Sequence, residues 1–135
     1  MFQRRLIALG VVALVVVACS ARRLTIEVPQ GFSGWVYVLF GKADCKTGNV
    51  TPLGSVVRVA PNGSACTSVG RYPKTAWVRY YYVDNDHRTR ELKSTGWGKG
   101  GMIWAQSTEL DGSVFRFYVG TEEQFKAPTN HPPIR

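Results

Sequence analysis

From Leu24 onward, apolar residues recur in strand-length segments separated by turn residues, and almost nowhere at helical spacing. Leu24, Ile26 and Val28 alternate with Thr25 and Glu27, the period-2 pattern of a half-buried strand. Trp35 to Phe40 is a continuous aromatic and aliphatic run, expected to form a central strand buried on both faces. Val57 and Val59 alternate with Arg58 and Ala60, Pro61-Asn62-Gly63 is a turn signal, and Cys66 falls on or beside the next short strand. Ala76 to Val83 is rich in β-favouring residues, with Asp84-Asn85-Asp86 as a hairpin turn and His87 to Leu92 returning. A glycine-rich loop, Gly96 to Gly101, leads into Met102 to Gln106, and Val114 to Val119 alternates again. Thr121-Glu122-Glu123-Gln124 has capping-box spacing and predicts one short helical turn.

This pattern predicts an all-β fold of about seven strands, an antiparallel β-sandwich resembling immunoglobulin or transthyretin-like folds, with a small β-barrel as the alternative. The 135 residues suffice for one domain. The expected division is a leader over residues 1–18, a tether over 19–23, the β-domain over 24–126 and a disordered tail over 127–135.

The leader has the three parts of a secretory signal: Arg4 and Arg5, the apolar run Leu6 to Val17, and the small residues Ala18, Cys19 and Ser20. Its twelve apolar residues would span about 18 Å as a helix. A stable membrane span needs roughly 20 residues to cross a hydrocarbon core of about 30 Å, so the run reads as removable. Val16-Val17-Ala18-Cys19 resembles the lipobox of bacterial lipoproteins. That resemblance implies diacylglycerol on the Cys19 sulfur, cleavage before Cys19, acylation such as palmitate, and anchoring to a membrane. A thiol is needed because its thiolate is the nucleophile, and two or three acyl chains anchor where one is marginal. By the same resemblance, Ser20 rather than Asp favours the periplasmic face of the outer membrane in a two-membraned host.

With Cys19 assigned to lipid, Cys45 and Cys66 remain as an even pair in an oxidising compartment, the condition for one disulfide. The formal charge is +8, and losing Arg4 and Arg5 with the leader leaves +6. Such a surface suits an anionic envelope polymer or another envelope protein as partner, or simply maintains solubility. Export argues against nucleic acid.

Pro29-Gln30-Gly31-Phe32-Ser33-Gly34-Trp35-Val36 resembles the opening signature of a family of small exported bacterial proteins known only as a domain of unknown function. Phe117-Tyr118-Val119-Gly120-Thr121 resembles its closing segment, and Trp77 to Arg90 also fits, so the resemblance covers about residues 24 to 126. It implies a compact exported domain and adds no mechanism.

Chemistry-bearing constellations are few. Gly96-Trp97-Gly98-Lys99-Gly100-Gly101 has dinucleotide-loop spacing, but that loop needs a helix after it, and a strand pattern follows. Asp84, Asp86 and His87 supply too few ligands for calcium, and His131 is the only other histidine for zinc. There is no Gly-x-Ser-x-Gly motif. A serine triad would have to use His87 or His131. No metal, cofactor or catalytic residue is therefore assigned, and a non-enzymatic binding or scaffolding domain is expected. The competing reading, an envelope hydrolase, requires Asp84, Asp86, Glu91, Glu109 and Asp111 to gather on folding. Trp35, Trp77 and Trp104 are expected to pack the core. Trp97, between glycines and beside Lys99, is the candidate ligand contact, or else a plug over the end of the sandwich.

Overall fold

The computed structural model describes residues 23–45, 49–51, 54–72 and 77–129. The leader, Cys19 and most of the tether, and His131 with the end of the tail, lie outside the described residues.

Among the described residues, nine strands and one short helix follow in order: β1 (Arg23–Pro29), β2 (Gly34–Leu39), β3 (Asn49–Thr51), β4 (Gly54–Arg58), β5 (Ser64–Cys66), β6 (Trp77–Asp84), β7 (His87–Leu92), β8 (Ile103–Thr108), β9 (Val114–Val119) and α1 (Glu122–Lys126). They form two open sheets, sheet A in the order β3-β4-β1-β6-β7 and sheet B in the order β5-β2-β9-β8. The architecture is a β-sandwich, not a closed barrel. Both sheets are mixed, whereas the sequence suggested antiparallel pairing throughout. In sheet A, β1 lies parallel to both β4 and β6; in sheet B, β2 lies parallel to β5. Period-2 patterning fixes which face a residue takes but is blind to the direction of the neighbouring strand.

The core lies between the sheets. Leu24, Ile26, Val28, Tyr80 and Tyr82 of sheet A meet Val36, Val38, Phe115, Phe117 and Val119 of sheet B. Tyr80 and Phe117 touch edge to face across the layers, with centroids 5.0 Å apart. The buried Tyr82 hydroxyl donates to the Phe32 carbonyl at 2.8 Å, and that of Tyr80 to the Gln106 side chain, so neither phenol is buried without a partner. Burial raises the Tyr80 phenol above its ordinary value.

Two turns set the register. Asn85 and Asp86 both adopt positive φ, 47° and 65°, as a two-residue hairpin loop between twisted strands requires. At Pro61-Asn62-Gly63, Gly63 has φ +87°, and a Cβ there would lie 2.3 Å from the Trp35 carbonyl oxygen. Only glycine lets β5 approach β2 this closely.

β2 departs from the expected two-sided burial. Val36 and Val38 are fully buried, but Leu39 on the opposite face is 40% exposed. Trp77 is not in the core either: it is 67% exposed, because Val78, Tyr80 and Tyr82 take the inward phase of β6 and Trp77 takes the outward one.

Candidate functional site

The outward face of sheet B divides into a covered half and an open half. Trp35, Tyr118 and Trp104 project outward, since their strand neighbours Val36, Val119 and Ile103 take the inward phase. Phe125 of α1 lies over all three, with centroids 6.3 Å from Trp35, 5.4 Å from Tyr118 and 5.7 Å from Trp104, the last stacked with ring planes nearly parallel at 8°. Trp104 is buried beneath this cover, and its Nε1 donates to the Gly120 carbonyl at 2.8 Å. Trp35 and Trp104 thus pack into a second aromatic layer outside the sandwich, not into the core between the sheets.

Local sequence builds the cover. Thr121 Oγ1 accepts from the Gln124 N–H at 3.1 Å, and Gln124 Oε1 accepts from the Thr121 N–H at 2.8 Å, a reciprocal capping box. Glu122 and Glu123 stand in the first turn and Lys126 in the last, as the helix dipole favours. Glu122 also ties the glycine loop to the helix: it accepts from the Gly98 N–H at 2.8 Å and pairs with Lys126 Nζ at 3.0 Å. Lys126 first, then Gly98, hold its carboxyl below the usual range.

Trp97 sits on this layer, 4.6 Å from Trp104 and 5.7 Å from Phe125 by ring centroid. The Lys126 ammonium lies 4.5 Å from its ring centre, within cation–π range. Its ring remains 53% exposed. Lys99 is exposed at the loop tip, where its carbonyl accepts from Thr95 Oγ1 at 3.1 Å. The strand β8, not a helix, follows this loop.

Beyond the cover, sheet B is open. Tyr37, Leu39, Val114, Leu110, Glu109 and Arg116 line a shallow hollow together with Asp111 and Ser113. Leu110 is fully exposed. Arg116 pairs with Glu109 at 2.9 Å and reaches Ser107 Oγ at 3.1 Å. Asp111 accepts from the Ser113 N–H at 3.0 Å. The Ser113 hydroxyl and N–H together lower its pKa.

The outward face of sheet A carries charge. Glu27, 7% exposed, is held by Arg58 Nε at 3.2 Å and Arg88 Nε at 3.1 Å. Arg58 Nη1 also reaches Asp86 at 2.5 Å, and chiefly Asp86 raises the guanidinium above its ordinary value. Arg88 lies over the Tyr81 ring at 4.7 Å, and Arg79 meets Glu91 at 3.8 Å.

Folding joins Cys45 to Cys66, with Cα atoms 5.9 Å apart, tying the segment after β2 to β5. It does not gather the five acids. Asp84, Asp86 and Glu91 belong to the β6–β7 hairpin of sheet A, whereas Glu109 and Asp111 belong to the β8–β9 connection of sheet B. Asp84, Asp86 and His87 are all exposed on one turn. Among the described residues no group of three His, Cys, Asp or Glu side chains could hold a metal. The sequence reading missed the Glu27–Arg58–Arg88 cluster and the Phe125–Lys126 cover, because both join residues far apart in the chain. Leu110, a leucine in a polar turn before Asp111-Gly112, was the one local sign of the hollow.

No curated protein matches the chain. The crystal structure of a candidate lipoprotein from Bacillus anthracis is similar with a TM-score of 0.56 at 18% identity, covering 82% of this chain and 80% of that one. At that identity the likeness is one of fold. The model of a family of unknown function, DUF6843, matches residues 24–125, which span nearly all of the β-domain, and the chain belongs to that family.

Proposed function

We propose that the chain is an exported lipoprotein, anchored through acyl chains on Cys19, whose β-sandwich binds or scaffolds a component of the cell envelope and carries out no catalysis. The lipobox Val16-Val17-Ala18-Cys19 and the short apolar run before it support the anchor. Ser20 favours the periplasmic face of the outer membrane where the host has one. The observation that carries the binding role is the open half of sheet B. Leu39 and Leu110 stand exposed beside Arg116, while the other half of the same face is sealed by aromatic packing. An apolar hollow whose rim carries Arg116 against Glu109 and Asp111 suits another envelope protein better than an anionic envelope polymer. The half-exposed Trp97 and the nearby Lys99 could extend this contact beyond the cover.

An envelope hydrolase is the competing reading, and it rests on Glu109 and Asp111 sharing the hollow. Both are already engaged, by Arg116 and Ser113 respectively, and the lowered pKa of Asp111 is the wrong direction for a general acid. Photo-crosslinking from position 110 in the native host tests the binding role. Capture of one envelope component, lost on Leu39→Ser and unchanged by Glu109→Gln, is expected. No capture from position 110 or from position 97 leaves a purely structural protein.

A further inference from the structure

We propose that the end of sheet A at which β1 begins is a membrane-contact surface, in which Arg23, Trp77 and Arg79 seat against anionic phospholipid headgroups. The proposal rests on acylation of Cys19. Parallel pairing sets Arg23 beside Trp77 and Thr25 beside Arg79. Leu24, Ile26 and Tyr80 point into the core, so Arg23, Trp77 and Arg79 share the outward face. Four peptide links separate Cys19 from Arg23, a reach of at most about 14 Å even when fully extended. Trp77 lies one strand spacing from Arg23, about 4.8 Å. An acylated Cys19 therefore holds this corner of the sheet within a short distance of the headgroup layer, whichever way the domain leans.

The chemistry of the corner suits that place. Trp77 is 67% exposed, and indoles partition to the membrane–water interface. Arg23 and Arg79 are exposed as well, and arginines near an anionic leaflet are attracted to it. The acid facing them is Glu91, 3.8 Å from Arg79. At the far end of the same face the acids Glu27 and Asp86 are held by Arg58 and Arg88. The sheet thus offers an indole and two cations against one acid at the end nearest the anchor, and a cluster of two cations and two acids at the other.

The test is tryptophan quenching in the full acylated protein, reconstituted in phosphatidylglycerol–phosphatidylcholine vesicles whose acyl chains are brominated near the headgroup. Quenching of the wild type is expected. It should be lost in Trp77→Phe, retained in Trp97→Phe, and reduced in Arg23→Gln with Arg79→Gln or when phosphatidylglycerol is omitted. Quenching that survives Trp77→Phe, or that disappears with Trp97→Phe, overturns the proposal. So does an acylated protein that shows no quenching, and this leaves the lipoprotein reading intact. A purified membrane form whose mass shows no acyl chain overturns both.

Discussion

The carboxylate of Glu27 is buried on the outer face of its own sheet, 3.1 Å from the Nε of Arg88, a residue sixty-one positions further along the chain. A buried charge is tolerated when its partners stay in place and is costly when they are removed. The two guanidiniums that hold Glu27 are themselves about half exposed, so the costs of removal are unequal. Glu27→Ala lets both arginines return to water and should cost about 1 kcal/mol. Arg58→Ala with Arg88→Ala strands the carboxylate and should cost about 3 kcal/mol. Urea unfolding of the two variants side by side reads the difference.

The Cys45–Cys66 bridge joins residues 21 apart in sequence. Closing a loop of that length in the unfolded chain stabilises the fold by about 3 kcal/mol in the chain-entropy model. Cys45→Ser and Cys66→Ser should each lower the unfolding midpoint by the same amount, and the double variant should lose no more than either single one. Protein from the envelope should resist thiol alkylation at both positions until it is reduced.

Phe125 connects α1 to the aromatic layer. Phe125→Ala should cost about 2 kcal/mol, below the roughly 3–5 kcal/mol of a buried aromatic truncation because Phe125 is only partly buried. It should also red-shift tryptophan emission, as Trp104 loses its cover and Trp97 its neighbour.

Acid should loosen the same cover. Because the folded state lowers the Glu122 carboxyl, its contribution is fully present above the ordinary carboxylate value and is lost as pH falls through the folded one. As pH falls below the ordinary glutamate range, protonation weakens the contacts to Lys126 and Gly98, and tryptophan emission should change with pH. Glu122→Gln should remove that titration while keeping an acceptor for the Gly98 N–H.

Much of this fold is legible in the residues. The alternation of Leu24 to Val28 and of Val114 to Val119 gives β1 and β9 with their buried faces, and Thr121 with Gln124 gives the start of α1. The phase of β6 was legible too: Arg79, two residues on from Trp77, marks the outward face, yet an aromatic residue in a strand invites assignment to the core. Strand β3 (Asn49–Thr51) is too short for any period to register. The bulge between Trp104 and Ser107, where Ala105 takes φ 52°, leaves no signature in an alanine. The hollow depends on Leu39 at the end of β2 lying beside Leu110 of the β8–β9 connection, which is a property of the topology and not of either segment.

Cys19 is the residue on which the proposed function rests, because its acylation would fix the compartment, leave Cys45 and Cys66 to each other, and set the first strand beside the bilayer. Labelled palmitate fed to the native host, followed by membrane fractionation, tests it most directly. Label on the wild-type protein in the membrane fraction is predicted, with both label and membrane retention lost in Cys19→Ser. A Cys19→Ser protein that stays on the membrane and still carries the label would contradict the account.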